Sequence, residues 1–207
     1  SGLNRYDGYD TRIYRSLKDD GNSLPDSYIE DIQEDATGNL WVRTGAGYAI
    51  YNSVSDIFDR NVEGWMWHIG ISGNPSTVYI DSEKIFWIYV AGKGIYCYKP
   101  GQENAVMVAG TDTLLTEMNI TDMTECSEGI LLAFGNGVLA CLDREKLNVK
   151  WTFDGIASQW GKNQSETFTL FVDSHERVWM YSVEGMWVYH LPKKSWEVRS
   201  VRSDRSN

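Results

Sequence analysis

A glycine recurs along this 207-residue chain at nearly even intervals, and each recurrence sits between two runs of apolar and aromatic residues. Gly47, Gly94, Gly137 and Gly185 are 47, 43 and 48 residues apart, and Gly2 lies 45 residues before the first of them. The segments Asn39–Tyr51, Ile85–Tyr98, Gly129–Cys141 and Arg177–Tyr189 align around these glycines, each reading as a strand, a glycine turn and a second strand. Six or seven residues before the glycine of each full unit stands Trp41, Trp87, Leu131 or Trp179. Four residues after the five glycines stand Tyr6, Tyr51, Tyr98, Cys141 and Tyr189. A third apolar run precedes each pair, at Tyr28–Ile32, Thr77–Ile80, Asn119–Met123 and Phe168–Val172. A fourth follows, at Arg12–Tyr14, Ile57–Phe58, Ala105–Val108, Trp151–Phe153 and Trp196–Val198.

Four short strands per period, with no 3.6-residue apolar periodicity long enough for a helix, predict an all-β chain made of β-propeller blades, each of four antiparallel strands. A lone four-stranded sheet exposes two faces and two edges; radial packing buries the faces against neighbours and leaves only short edges. The recurring Trp41, Trp87 and Trp179 are expected to fill the wedges between blades. Counting strands gives a half-blade over residues 1–15, four full blades over 28–60, 74–108, 118–153 and 166–200, and a polar tail over 201–207. Four blades close only in the rarest and tightest propellers, so the expectation is a fragment of a larger propeller, or a chain that completes itself against a second copy.

Composition supports this class and removes others. Nine Trp, 12 Tyr and 6 Phe stand beside 19 Gly and only 4 Pro, a mixture suited to twisted sheets with glycine turns. Lys and Arg number 19 against 29 Asp and Glu, a net charge of −10, with no basic run beyond the scatter Arg199, Arg202 and Arg205, so no nucleic-acid partner is expected. No apolar stretch approaches the ~20 residues that cross a bilayer, so this segment is expected to make no membrane contact. Cys97, Cys126 and Cys141 fit neither a disulfide framework nor paired zinc ligands and read as small core residues.

The string Gly2-Leu-Asn-Arg-Tyr-Asp7, then Asn22-Ser-Leu-Pro25, Tyr28-Ile-Glu-Asp-Ile32 and Glu34-Asp-Ala-Thr-Gly-Asn-Leu-Trp-Val42, resembles the regulator-propeller repeat of the periplasmic sensor region of bacterial hybrid two-component histidine kinases. The match is close over residues 2–51, in phase but weaker over 77–99 and 166–190, and reduced to the glycine and the apolar pattern over 118–142. The resemblance implies a segment of a seven-bladed propeller in a periplasmic sensor of oligosaccharides, with the membrane helix, kinase and DNA-binding output lying elsewhere in the parent protein. Such motifs are blade-packing motifs; they carry fold and say little about ligand.

Chemistry-bearing motifs are sparse. Gly45-Ala-Gly47, Gly92-Lys-Gly94 and Gly135-Asn-Gly137 lack the following helix that a phosphate loop requires, and read as tight turns. Asp35-Ala-Thr-Gly-Asn39 has the spacing of a calcium loop without its distal bidentate Glu, so a solvated turn is expected. His68, His175 and His190 fall in separate units without metal or catalytic spacing, so no catalytic residue, metal site or cofactor is expected.

The residues that break the repeat point elsewhere. In a propeller the link from a fourth strand to the next blade lies on the same face as the turn between second and third strands, a face that commonly binds ligands. Those links are roughly 15–27, 60–74, 109–117 and 154–165, and two carry aromatics out of phase. Trp65, Trp67 and His68 in one, Trp160, Lys162, Asn163 and Gln164 in the other, with Lys93 on a nearby turn, are the candidate ligand residues: a Trp face stacks on the C–H side of a pyranose while neighbours bond its hydroxyls. The competing reading takes the alternation Trp65, Trp67, Ile69, Ile71 as an extra strand with one buried face. The functional expectation is a non-catalytic sensor segment that binds an oligosaccharide or a partner subunit; the alternatives are a scaffolding or homodimerising module with no ligand site, and a propeller enzyme acting on glycans.

Overall fold

A computed structural model describes residues 2–111, 119–156, 158 and 166–201, excepting the side chains of residues 200 and 201. Strands β1 (Leu3–Tyr6) and β2 (Thr11–Tyr14) form a two-stranded hairpin. Four antiparallel four-stranded sheets follow. The first holds β3 (Ile29–Glu34), β4 (Leu40–Thr44), β5 (Gly47–Asn52) and β6 (Ile57–Asp59), and the second β7 (Thr77–Ile80), β8 (Phe86–Val90), β9 (Gly94–Tyr98) and β10 (Val106–Met107). The third holds β11 (Ile120–Cys126), β12 (Gly129–Phe134), β13 (Leu139–Asp143) and β14 (Asn148–Phe153), and the fourth β15 (Thr169–Val172), β16 (Arg177–Tyr181), β17 (Gly185–His190) and β18 (Ser195–Val201). In every sheet the spatial order is the chain order, the all-β propeller-blade pattern expected from the repeat. No helix among the described residues is long and apolar enough to cross a membrane.

Each seam between blades is a separate hydrophobic cluster. The hairpin meets the first blade through Tyr14, Leu24, Val42, Ala49, Tyr51 and Phe58. Trp41 and Tyr48 of the first blade meet Val78, Phe86 and Ile88 of the second. Trp87 and Ile95 of the second meet Ile130, Leu132 and Phe134 of the third, and Leu131 and Cys141 of the third meet Val178, Met180 and Trp187 of the fourth. All three cysteines are buried in these seams. Trp41 and Trp87 are fully buried, as wedge residues should be. Trp179 is only half-buried, because it lies with Phe171 on the outward face of the fourth blade.

An aspartate at the turn before the second strand, in three of the four blades, explains why the tryptophan recurs. Asp81 Oδ1 accepts the main-chain N–H groups of Glu83 (3.0 Å) and Ile85 (2.9 Å), and its Oδ2 accepts the Trp87 indole N–H at 3.0 Å. Asp35 does the same for Thr37, Asn39 and Trp41, and Asp173 for His175, Arg177 and Trp179. One carboxylate thus shapes the turn and satisfies the one polar atom of a buried indole. The Asp35 turn spends its carboxylate on these donors. The third blade lacks this aspartate; there Glu128 takes the Trp151 indole N–H from the β11–β12 hairpin at 2.8 Å.

Three of the four spaced turn glycines, Gly47, Gly94 and Gly137, have φ of 116°, 138° and 86°; Gly185 is not in the positive-φ region. Gly129 is the tightest position. Its φ is 149°, and an added Cβ would overlap the Leu142 carbonyl oxygen of β13 and sit 3.3 Å from Cys141 Sγ. Gly129→Ala is therefore expected to destabilise the chain by about 2 kcal/mol, read from the urea midpoint by circular dichroism, whereas Gly101→Ala, strained at φ 92° but with open space around it, is expected to cost about half as much.

One expectation fails. The segment read as possible strand or loop after β6 contains helix α1 (Val62–His68). Asn61 Oδ1 accepts the Gly64 N–H at 3.0 Å as an N-terminal cap, Glu63 lies in the first turn, and Val62, Met66 and Ile69 bury one face in the seam between the first two blades. The i, i+4, i+7 face of Val62, Met66 and Ile69 packs into that seam in place of the period-two alternation of Trp65, Trp67, Ile69 and Ile71.

Candidate functional site

The first strands of the four blades, β3, β7, β11 and β15, stand side by side and face a common axial cleft of about 700 Å³. Much of its lining is polar: Glu30, Asp31 and Gln33 from β3, Arg43 from β4, Thr77 from β7, and Thr121, Asp122 and Thr124 from β11. β-bulges place Glu30, Asp31, Thr121 and Asp122 there. Register shifts between Ile29 and Asp31 in β3, and between Ile120 and Asp122 in β11, insert one extra residue and turn polar side chains toward the axis.

These side chains clip the first blade to the second and the third blade to the fourth. Gln33 Nε2 donates to Val78 O at 2.9 Å and its Oε1 accepts the Ile80 N–H at 2.5 Å, joining β3 to β7. Thr121 Oγ1 donates to Phe168 O at 3.0 Å and accepts the Phe168 N–H at 3.2 Å, and Asp122 Oδ2 accepts the Leu170 N–H at 2.7 Å, joining β11 to the fourth blade. Arg43 is paired with Glu30 at 2.9 Å. Asp122 is partly open to the cleft yet mostly surrounded by protein, and this burial pushes its carboxyl up to about 6 against the pull of the Leu170 and Met123 N–H groups. Tyr48 behind it is buried, with its phenol pushed up to about 12, and its oxygen accepts the Val78 N–H at 2.8 Å. The cleft thus offers hydroxyls, carboxylates and one guanidinium, a set matched to a hydroxylated ligand.

The residues predicted from the loop links are placed differently from one another. Trp67 is 63% exposed on α1, and His68 beside it is exposed. Trp65 is half-buried, with its ring centroid 4.6 Å from that of Trp41, 5.1 Å from Phe86 and 5.7 Å from Tyr98. Lys93 is tied down on the β8–β9 turn, its Nζ donating to Ser72 O at 2.8 Å and Ser72 Oγ at 2.7 Å. Trp160, Lys162, Asn163 and Gln164 lie outside the described residues. Loop-face residues and axial cleft are therefore two distinct surfaces, and the axial one was missed in the sequence. Its signal was present: Glu30-Asp31 and Thr121-Asp122 place two adjacent polar residues at matching positions of two first strands, where strict alternation would place one.

Comparisons with known proteins agree with this architecture. Residues 23–46 match the family model described as two component regulator propeller. No curated relative matches the chain. Among solved structures, the extracellular domain of the hybrid two component system BT3049 from B. thetaiotaomicron superposes with a TM-score of 0.63 at 14% identity, over 98% of this chain and 26% of that one. The corresponding domain of BT4673 from the same organism gives 0.56 at 20% identity, over 83% of this chain and 21% of that one. YCF48 from Cyanidioschyzon merolae gives 0.54 at 14% identity, over 92% and 61%. The chain spans about a quarter of the length of the two-component structures it matches. Residues 23–46 carry a two-component regulator propeller repeat, and the blades around it have the β-propeller fold found in extracellular domains of hybrid two-component systems.

Proposed function

We propose that this chain is part of a periplasmic sensor of a hybrid two-component signalling protein, acting by binding and not by catalysis. Its ligand is an oligosaccharide that enters from the loop face bearing Trp67 and His68 and reaches the axial cleft. The observation that carries this reading is the polar cleft itself, built by four inner strands on a fold shared with extracellular domains of hybrid two-component systems. A ligand touching several inner strands favours one spacing of the blades over another, which is the differential affinity that a signal requires. The kinase that reads it belongs to the rest of the parent protein.

The test is calorimetric titration of oligosaccharides released from complex polysaccharides into the complete extracytoplasmic region. Trp67→Ala is expected to weaken binding about tenfold with an unchanged melting temperature, because that ring is largely exposed. Arg43→Gln in the cleft is expected to weaken it similarly. Unaltered binding by both variants overturns the site. A second reading, assembly without a ligand, draws on the exposed Phe171 and Tyr181 of the fourth blade. A concentration-dependent dimer in sedimentation, together with no glycan binding, favours it.

A further inference from the structure

Two carboxylates cross a blade seam to take a main-chain N–H. Glu125 reaches Ser82 at the rim, 2.9 Å away. Asp122 reaches Leu170 inside the cleft, and this second bond ties the inner strand of the third blade to that of the fourth. The equivalent tie between the first and second blades is the neutral amide of Gln33.

The groups that face Asp122 leave its charge poorly compensated. On its own strand it accepts the Met123 N–H at 2.9 Å. From the first blade come Asp31, a like charge, and Arg43, whose guanidinium is already paired with Glu30. Tyr48 and Tyr79 are phenols held neutral by burial, and the adjacent β15 presents Thr169 and Leu170, neither of which ionises. A carboxylate in such a place is most easily stabilised by water, and water reaches it best when β11 and β15 separate.

We propose that Asp122 makes the seam between the third and fourth blades proton-sensitive. Protonated, it is a neutral group beside a closed β11–β15 seam; ionised, it favours a looser, hydrated one. The sign follows from the surroundings: burial and the facing Asp31 charge favour the neutral form and outweigh the Leu170 and Met123 N–H groups and the already paired Arg43. Its folded value, about 6, lies above the ordinary 3.8, so the closed state holds the proton more tightly. The stabilisation is complete below the ordinary carboxyl value and is lost as pH rises through about 6. This goes beyond the ligand reading and does not depend on it.

The test is hydrogen exchange of residues 168–172, corrected for the intrinsic pH dependence of exchange, with β12 amides as reference. In the wild-type chain the protection of this segment is expected to fall roughly tenfold from pH 5 to pH 7.5. In Asp122→Asn, which keeps an acceptor for Leu170, protection should be equal at both pH values. Should that variant fail to fold by circular dichroism, Asp31→Asn serves instead: removing the facing like charge should move the wild-type fall to lower pH. A flat wild-type profile overturns the proposal. So does an undiminished fall in Asp122→Asn, or an unmoved one in Asp31→Asn.

Discussion

Trp87→Ala is expected to cost the chain about 3–5 kcal/mol of unfolding free energy, enough to unfold much of it, whereas Trp179→Ala, at the same position of the last repeat, should cost about 1–2 kcal/mol. The two residues have the same strand, the same neighbouring turn and the same indole bond to an aspartate. They differ in what lies on the far face. Trp87 is fully buried against Ile130, Leu132 and Phe134 of the third blade, while Trp179 is half-buried, with the Arg177 guanidinium 5.4 Å from its ring centroid. Urea denaturation followed by circular dichroism reads both. Equal costs would show that the tryptophan stabilises its own blade and not the seam.

The second large effect is expected at Asp81. Its side chain is wholly buried, and Asp81→Ala removes acceptors from three N–H groups at once: those of Glu83 and Ile85 in the turn and the indole of Trp87. It also removes one acidic neighbour from Arg144, which keeps Glu125 at 3.3 Å and Glu83 at 4.0 Å. An unmet buried donor costs about 1–3 kcal/mol, and the groups share one site, so the total should fall near 3–5 kcal/mol instead of at the full sum. Asp35→Ala should cost less, about 1–2 kcal/mol, because its turn is more exposed and its bond to the Trp41 indole is longer at 3.3 Å. Melting temperatures of the two variants decide this, and the reverse order would show that burial of the Asp81 turn does not set the cost.

Much of the fold could be read from residues because blades are local. A glycine turn flanked by alternating apolar residues needs only its own neighbours, so the sixteen strands of the four full blades fall where the runs of the repeat lie. Helix α1 escaped because two patterns overlap in it: Trp65, Trp67, Ile69 and Ile71 alternate, while Val62, Met66 and Ile69 share a helical face. Only the seam between two blades decides between them. The turn aspartates were legible as acidic residues but not as indole acceptors, since Asp81 and Trp87 meet only when the turn is closed.

The axial cleft lay furthest from view. Gln33 meets Val78, and Asp122 meets Leu170, across 45 and 48 residues of chain, and no local pattern encodes those contacts. What the sequence did hold was a pair of adjacent polar residues in each of two first strands, Glu30-Asp31 and Thr121-Asp122, a sign that takes on meaning once β-bulges turn those positions inward. Loop aromatics drew attention first because they break the repeat in composition. Trp65 shows the weakness of that signal, since an out-of-phase tryptophan on α1 also fills a seam.

If, as proposed, these blades are a piece of a larger propeller sensor with a signalling output, the parent reading frame on both sides of this segment will show it when sequenced. The account predicts further blades with the same glycine spacing, then a membrane-crossing helix and a histidine kinase. A frame that holds neither additional blades nor any kinase would contradict it and leave self-assembly as the function to explain.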